Sequence, residues 1–274
     1  IIFMGASQFA VPTLEKLAKN NYQILAVITA PDKPAGRQQE LTPPPVKELA
    51  GQLDLKIFQP IKIAEIKSEI KKLAPDLIIA AAYGQIIPQD ILEIPSRGAL
   101  NLHPSLLPKY RGPSPIQTAV LNGEQKTGLT IMLMDEKIDH GPIIGQKEIL
   151  IAPDETYQTL ERKLAQLAAD YLLEILPQYL ENKTELQPQD DSRATQTKIL
   201  TRDDGKIDLN QDPFEIERKT RAFYPWPGVW TESNGLRVKI IKVKVKDGRL
   251  YLELVQPQGK KQMTGQEFFR GHKK

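Results

Sequence analysis

The sequence predicts an α/β protein, a Rossmann-like domain built on a mostly parallel sheet and followed by a smaller domain that reads as an OB-like β-barrel. Three observations carry this. Asp76–Tyr83 is an apolar strand of the kind buried on both faces of a parallel sheet. The opening, Ile1–Met4 into Gly5-Ala6-Ser7 and then Val11, Leu14, Leu17 and Ala18 at helical spacing, is the first half of a βαβ unit. After about residue 200 the long helical patterns stop and short strands follow a single helix.

Taken in order, Pro12 is tolerated in the first turn of the first helix, and Ile24–Ile28 supplies the second strand. No Gly-x-Gly-x-x-Gly follows the first strand, so a dinucleotide is not indicated. Residues 31–45 form a loop of about fifteen residues without periodicity, long enough to have a role of its own; it holds Lys33, Gly36, Arg37 and three consecutive prolines. Val46–Ala50 is a short helix, Lys56–Phe58 a short strand, and Ala64–Leu73 a helix with Ile66, Ile70 and Leu73 on one face. Beyond Asp76–Tyr83 come a strand at 99–102 and a helix at Ile116–Leu121. The strands Thr127–Met134 and Ile143–Ile151 are too close in sequence for a helical crossover. A long amphipathic helix, roughly Glu155–Leu180, ends the first domain at 1–181. Residues 182–203, rich in Gln, Thr, Asp and Pro, read as an inter-domain linker, and 204–274 as the second domain. There Phe214–Phe223 is helical, 224–228 a turn, and 229–231, 236–245 and 249–255 are strands.

Composition excludes several functions. No cysteine is present, which removes disulfides, thiolate nucleophiles and Cys-based metal sites. The three histidines, His103, His140 and His272, make no His-x-x-x-His pair, so no catalytic metal is expected. No apolar run has membrane-spanning length and no signal peptide is visible, so a cytoplasmic protein without a membrane partner is expected. Charge is uneven: residues 1–200 hold 21 Lys/Arg against 24 Asp/Glu, and residues 201–274 hold 16 against 10. A basic C-terminal quarter on a slightly acidic body suits a polyanion partner, though a solvated basic face fits the same numbers.

The densest chemistry lies in Asn101–Pro115. Asn101 and His103 sit two apart on a strand and so point to the same side, at the carboxyl end where open α/β sheets place ligands. A plain strand cap would use the same residues. The exit after His103 is rigid, with four prolines from Pro104 to Pro115. This stretch, His103-Pro104-Ser105-Leu106-Leu107-Pro108-Lys109-Tyr110-Arg111-Gly112-Pro113-Ser114-Pro115-Ile116-Gln117, resembles the signature of the 10-formyltetrahydrofolate-dependent formyltransferases. It looks like the version in the methionyl-tRNA formyltransferases rather than that of the purine-biosynthetic enzyme. Pro31-Asp32-Lys33-Pro34-Ala35-Gly36-Arg37, Asp204–Asp208, Arg221–Gly228 and Pro257–Lys261 are at home in the same group, so the resemblance covers essentially the whole chain. One departure stands out: the family usually has a longer stretch, with additional strands, between about Lys246 and Arg249, which puts the strand count of the barrel in doubt.

The resemblance implies formyl transfer from 10-formyltetrahydrofolate to the α-amino group of methionyl initiator tRNA, for translation initiation, by an enzyme expected to be a monomer. Such a transfer passes through a tetrahedral centre whose oxygen gains charge, so donors are needed there. Asn101 offers a neutral N–H and a protonated His103 a charged one; a carboxylate nearby favours that form. Asp139 lies in the Asp-x-Gly-Pro setting where the family keeps its catalytic aspartate; an Asp beside Gly also makes an ordinary Asx-turn. For the folate, Tyr83, Gly84, Ile86 and Ile87 at the exit of Asp76–Tyr83 can wall a slot for a flat pterin. The resemblance adds Ser105, Leu106, Leu107 and Pro108. For tRNA, the resemblance implies that the loop of Lys33 and Arg37 enters the acceptor stem, with Arg37 as its probe. Lys206, Arg237, Lys239, Lys242, Lys244 and Lys246 are phosphate-facing candidates, the last three alternating along one strand face. Exposed lysines that guard a sheet edge would look the same. Two other functions fit parts of the pattern: formylation of a nucleotide-linked amino sugar, and RNA binding on a catalytically silent sheet.

Overall fold

Along the chain run β1 (Ile2–Gly5), α1 (Val11–Lys19), β2 (Ala26–Ile28), β3 (Lys33–Ala35), β4 (Glu40–Thr42), α2 (Pro45–Gln52), β5 (Ile57–Phe58), α3 (Lys67–Leu73), β6 (Ile78–Ala81), α4 (Gln89–Leu92) and β7 (Ala99–His103). Then follow α5 (Pro115–Leu121), β8 (Lys126–Leu133), β9 (Ile143–Leu150), α6 (Tyr157–Leu180), α7 (Pro213–Ala222), β10 (Val229–Ser233), β11 (Leu236–Lys246), β12 (Arg249–Pro257), β13 (Met263–Thr264) and α8 (Gly265–Gly271). This computed structural model describes residues 1–35, 39–233 and 235–271. Its contacts divide the chain into two units, the first of Ile1–Pro113, Thr127–Ile149 and Glu161–Gln196, the second of Ser114–Lys126, Leu150–Leu160 and Thr197–Lys274.

The first unit is organised by a seven-stranded sheet in the order β5-β2-β1-β6-β7-β8-β9. The five strands from β5 to β7 pair in parallel, and β8 pairs antiparallel with β7. Ile2, Phe3 and Met4 in β1 and Leu77–Ala81 at β6 are buried on both faces, which is why they read as continuous apolar runs. Ile70 of α3 and Ile91 of α4 pack with Ile2, Met4, Ile28 and Ile78 in one core cluster. β7 thus lies where the sheet changes from parallel to antiparallel pairing, and its last residue is His103.

Residues 31–45, expected as a loop, instead contain a small hairpin in which Lys33 pairs with Thr42, Pro34 with Leu41 and Ala35 with Glu40. A proline in one strand and no apolar alternation in either left it without a sequence signal. Arg37 lies outside the described residues.

In the second unit α7 begins on Asp212, whose carboxylate accepts from the Phe214 N–H, with Pro213 at the first helical position. α7 packs on α5 and on β11 and β12. The strands form an antiparallel sheet in the order β10-β11-β12-β13. Val238 and Ile240 of β11 are buried while Arg237 and Lys239, alternating with them, face outward, the period-two alternation of a half-buried strand. Where the family usually has a longer stretch, β11 turns directly into β12 through Asp247 (φ 50°) and Gly248 (φ 71°), an Asp-Gly hairpin turn whose twist matches its strands.

Candidate functional site

β7 delivers Asn101 and His103 on one side, His103 buried at its carboxyl end. Asp139 arrives from the β8–β9 connection with a left-handed backbone (φ 49°), a conformation Asp tolerates better than most residues. Two residues on, a Cβ on Gly141 would stand 1.9 Å from the Leu133 carbonyl oxygen, so only glycine lets the connection fold this tightly onto the end of β8. Leu133 N donates to the Pro142 carbonyl at 2.9 Å and secures the fold-back.

The Asp139 carboxylate is met from three directions. Asn101 Nδ2 donates to Oδ1 at 3.1 Å, the Gly112 N–H donates to Oδ2 at 2.7 Å, and His103 Nδ1 stands 3.5 Å from Oδ2. The local turn duty falls to a different residue, since Asp135 Oδ1 accepts from Lys137 N at 3.0 Å. His103 Nε2 lies 2.9 Å from the Tyr110 carbonyl, which can only accept, so that nitrogen is the ring's donor there. With both ring nitrogens facing protein oxygens, the ring as placed has no N–H turned to a substrate. Asn101 keeps a second amide hydrogen beyond the one given to Asp139. His140 is held between Asp135 Oδ2 at 2.6 Å and Asp191 Oδ2 at 3.4 Å.

Sequence reasoning missed the residues behind this trio. Gln189, in the segment expected as linker, donates through Nε2 to the carbonyls of Asp139 at 3.0 Å and Gly141 at 2.8 Å. Its Oε1 accepts from Arg111 Nε at 3.1 Å and Nη2 at 2.8 Å. Arg111 is buried and pairs with Asp191 Oδ1 at 2.8 Å, a hydrogen bond that holds the Asp191 carboxyl below the usual carboxylate range. Arg111 belongs to the signature stretch and could have been singled out from sequence; nothing in the composition around Gln189 marks it.

The expected folate-binding residues divide by exposure. Ile86 is exposed, and so is Gly84, while Tyr83 and Ile87 point into the core cluster. Burial pushes the Tyr83 phenol up to about 12, and its hydroxyl has no hydrogen-bond partner among the described residues. Ser105 is buried and donates to the Lys109 carbonyl at 2.7 Å; Leu107 packs with Met132 and Ile143. Thr130 and Gln146 brace this loop: Leu107 N donates to Thr130 Oγ1 at 3.1 Å, and Gln146 Nε2 donates to the Leu107 carbonyl at 2.8 Å. Leu106 and Pro108 remain half-exposed. Of this set, Ile86, Leu106 and Pro108 are therefore the side chains that remain accessible.

Of the expected tRNA residues, Lys33 is exposed on β3. Lys206 pairs with Glu232 at 3.4 Å and stands over the Trp230 ring at 5.2 Å. Arg237 stacks on that ring at 3.5 Å. Arg202, Arg237 and Lys239 line a cleft of about 180 Å³ floored by Pro227, Gly228, Val229 and Trp230. Lys242, Lys244 and Lys246 are all exposed on alternate positions, but Lys242 already has Glu253 at 2.9 Å.

Among the described residues, no group of three or more His, Asp or Glu side chains is placed to hold a metal ion, and no helix is long and apolar enough to cross a membrane. The sequence model of the formyl transferase family matches residues 1–176, and that of the formyl transferase C-terminal domain matches 199–249. The methionyl-tRNA formyltransferase of Geobacter sulfurreducens is 39% identical over 99% of this chain and 93% of its own length. That of Chloroflexus aurantiacus is 44% identical over 89% of this chain and 80% of its own. Among solved structures, the N-formyltransferase from Helicobacter canadensis, in complex with folinic acid and dTDP-3-aminofucose, superposes with a TM-score of 0.69 at 21% identity, covering 93% of each chain. At that identity the likeness speaks for the fold alone.

Proposed function

The chain belongs to the formyl transferase family, and from that premise we propose that it transfers the formyl group of 10-formyltetrahydrofolate to the α-amino group of methionyl initiator tRNA, for translation initiation. The choice of acceptor rests on one observation: relatives named for methionyl-tRNA are 39% and 44% identical over 99% and 89% of this chain. The work is divided, with catalysis in the first unit and RNA contact in the C-terminal part of the second, residues 197–274. In this reading the enzyme is a monomer acting in the cytoplasm.

The co-substrate supplies an activated formyl carbon, held against the open side chains of Ile86, Leu106 and Pro108 with the braced backbone of residues 105–108 beneath. A methionyl α-amino group titrates near ~8 or below, so much of it is already a nucleophile at neutral pH. Positioning and charge stabilisation therefore dominate over base strength. The free Asn101 N–H faces the developing oxyanion. Asp139, reached by His103 Nδ1, is the group able to take the proton that leaves the attacking nitrogen, directly or through one water. The cleft of Arg202, Arg237 and Lys239, with no carboxylate partner for those cations among the described residues, takes tRNA phosphates.

The test offers the protein 10-formyltetrahydrofolate with charged initiator tRNA and, in parallel, with a nucleotide-linked amino sugar. N-formylmethionine from the first and no product from the second is the expected result. Formylation of the sugar alone would overturn the assignment.

A further inference from the structure

We propose that Gln189, backed by Arg111, is a positioning residue for the catalytic carboxylate, and that residues 187–196 act as a strap that sets the active-site geometry rather than as a linker. The inference rests on the reading of Asp139 as catalytic.

The strap is fixed at both ends. Gln187 exchanges two backbone hydrogen bonds with Ile143, at 2.8 and 2.9 Å, where β9 starts. At the other end Arg111 N donates to the Thr195 carbonyl at 2.9 Å and Tyr110 N donates to Thr195 Oγ1 at 2.8 Å. Tyr110 and Gly112 are the residues whose carbonyl and N–H engage His103 and Asp139. One segment therefore ties down both loops that meet at the trio.

Gln189 sits between these anchors with every polar atom committed. Its two amide hydrogens go to the carbonyls on either side of His140, and its oxygen takes both Arg111 contacts. Those carbonyls belong to Asp139 and Gly141, the residues of the connection that need a left-handed backbone and a missing Cβ. A backbone in that region persists only where its surroundings over-determine it. The amide clamp supplies the determination, and the buried guanidinium fixes the amide's orientation, which neither a carboxylate nor a hydrocarbon could reproduce.

Two variants test this in the full chain. Gln189→Leu removes every polar contact. Gln189→Glu keeps the size and the Arg111 partner but turns acceptors toward two carbonyls, and it decides the matter if the first variant folds poorly. Both are expected to lower kcat on methionyl-tRNA by about tenfold to a hundredfold, the cost of a misplacement on the order of 1 Å, with KM for either substrate within about threefold of the parent. Without any substrate, the His103 ring proton resonances are expected to shift in both. A kcat within about twofold of the parent in both variants, a rise in KM alone, or unmoved His103 resonances would overturn the proposal. If the parent itself leaves methionyl-tRNA unformylated, the acceptor reading fails, while the His103 resonances still decide whether the strap holds the trio.

Discussion

The trio in the first unit and the cleft in the second present charge in opposite ways. Asp139 has a side chain only 13% exposed, and each of its oxygens faces a donor fixed by backbone or by a partnered side chain. Around the cleft, Arg237 and Lys239 are exposed and no carboxylate pairs with them among the described residues. In a water-poor site a charge interacts strongly and its position decides everything. At the surface each charge is screened, and the number of charges sets the binding. Damage to the first should abolish turnover through one atom; damage to the second should be graded and visible in salt.

The sharpest way to break that contrast is at the trio. Asn101→Ala and His103→Ala are each expected to lower kcat by about 10²–10³, with folate binding retained. Asp139→Asn should fall at least as far. Here the structure adds a stability cost, because an asparagine keeps an acceptor at only one of the two oxygen positions on which donors now converge. A buried donor left unpaired costs ~1–3 kcal/mol, and each kcal/mol is worth roughly 2–4 °C in a protein of this size. Steady-state kinetics beside thermal melts check this; an Asp139→Asn enzyme with parental kcat would remove Asp139 from the chemistry.

At the cleft the expected loss is smaller and takes a different form. Arg237→Gln with Lys239→Gln should weaken tRNA binding and make the plot of log K against log[salt] shallower by about two units, near 0.9 for each phosphate released. Turnover at saturating tRNA should barely change. An unchanged slope would mean that the stacked Arg237–Trp230 pair is only surface packing.

The same contrast separates what could be read from the sequence from what could not. The placement of Asn101 and His103 follows from strand periodicity and the carboxyl-end rule, because both are local. Asp139 came from resemblance; spacing alone favoured an Asx-turn, and the residue that fills that role is Asp135. Gln189 was invisible because its partners lie far away in sequence and its neighbours have a linker's composition. The lysine face of β11 was legible as alternation, yet Lys242 meets Glu253 only through a register that skips near Ile240 and again before Val243. Local periodicity predicts which way a side chain points; pairing across strands decides what it meets.

A subtler effect in the second unit is acid sensitivity. Lys198 donates to Asp204, and so do the Thr201 N–H at 2.7 Å and Thr201 Oγ1 at 2.9 Å, which together lower its carboxyl from 3.8 to about 2. A carboxyl depressed on folding adds stability that is full above its unfolded value and is lost as the pH falls through the folded one. Asp204→Asn should therefore be less stable than the parent by a constant amount above about pH 5, and the gap should close between roughly pH 4 and pH 2. A gap independent of pH over that window would assign the loss to the Thr201 turn and not to the charge.

The smallest effect is the most telling about how the basic face works, because its sign is unusual. Lys242 and Glu253 form an exposed pair at 2.9 Å, with side chains 71% and 37% accessible, so the pair itself contributes little to folding. Its consequence is for binding: Glu253 offsets one of the lysines on the strand face. Lys242→Gln should alter the salt slope less than Lys239→Gln, since Lys239 has no such partner. Glu253→Gln should then strengthen tRNA binding slightly and steepen the slope by up to about one unit, as Lys242 becomes available to a phosphate. Melting temperatures should stay within about a degree or two throughout. Weaker binding in Glu253→Gln would mean that the carboxylate orients Lys242 for RNA and does not compete for it.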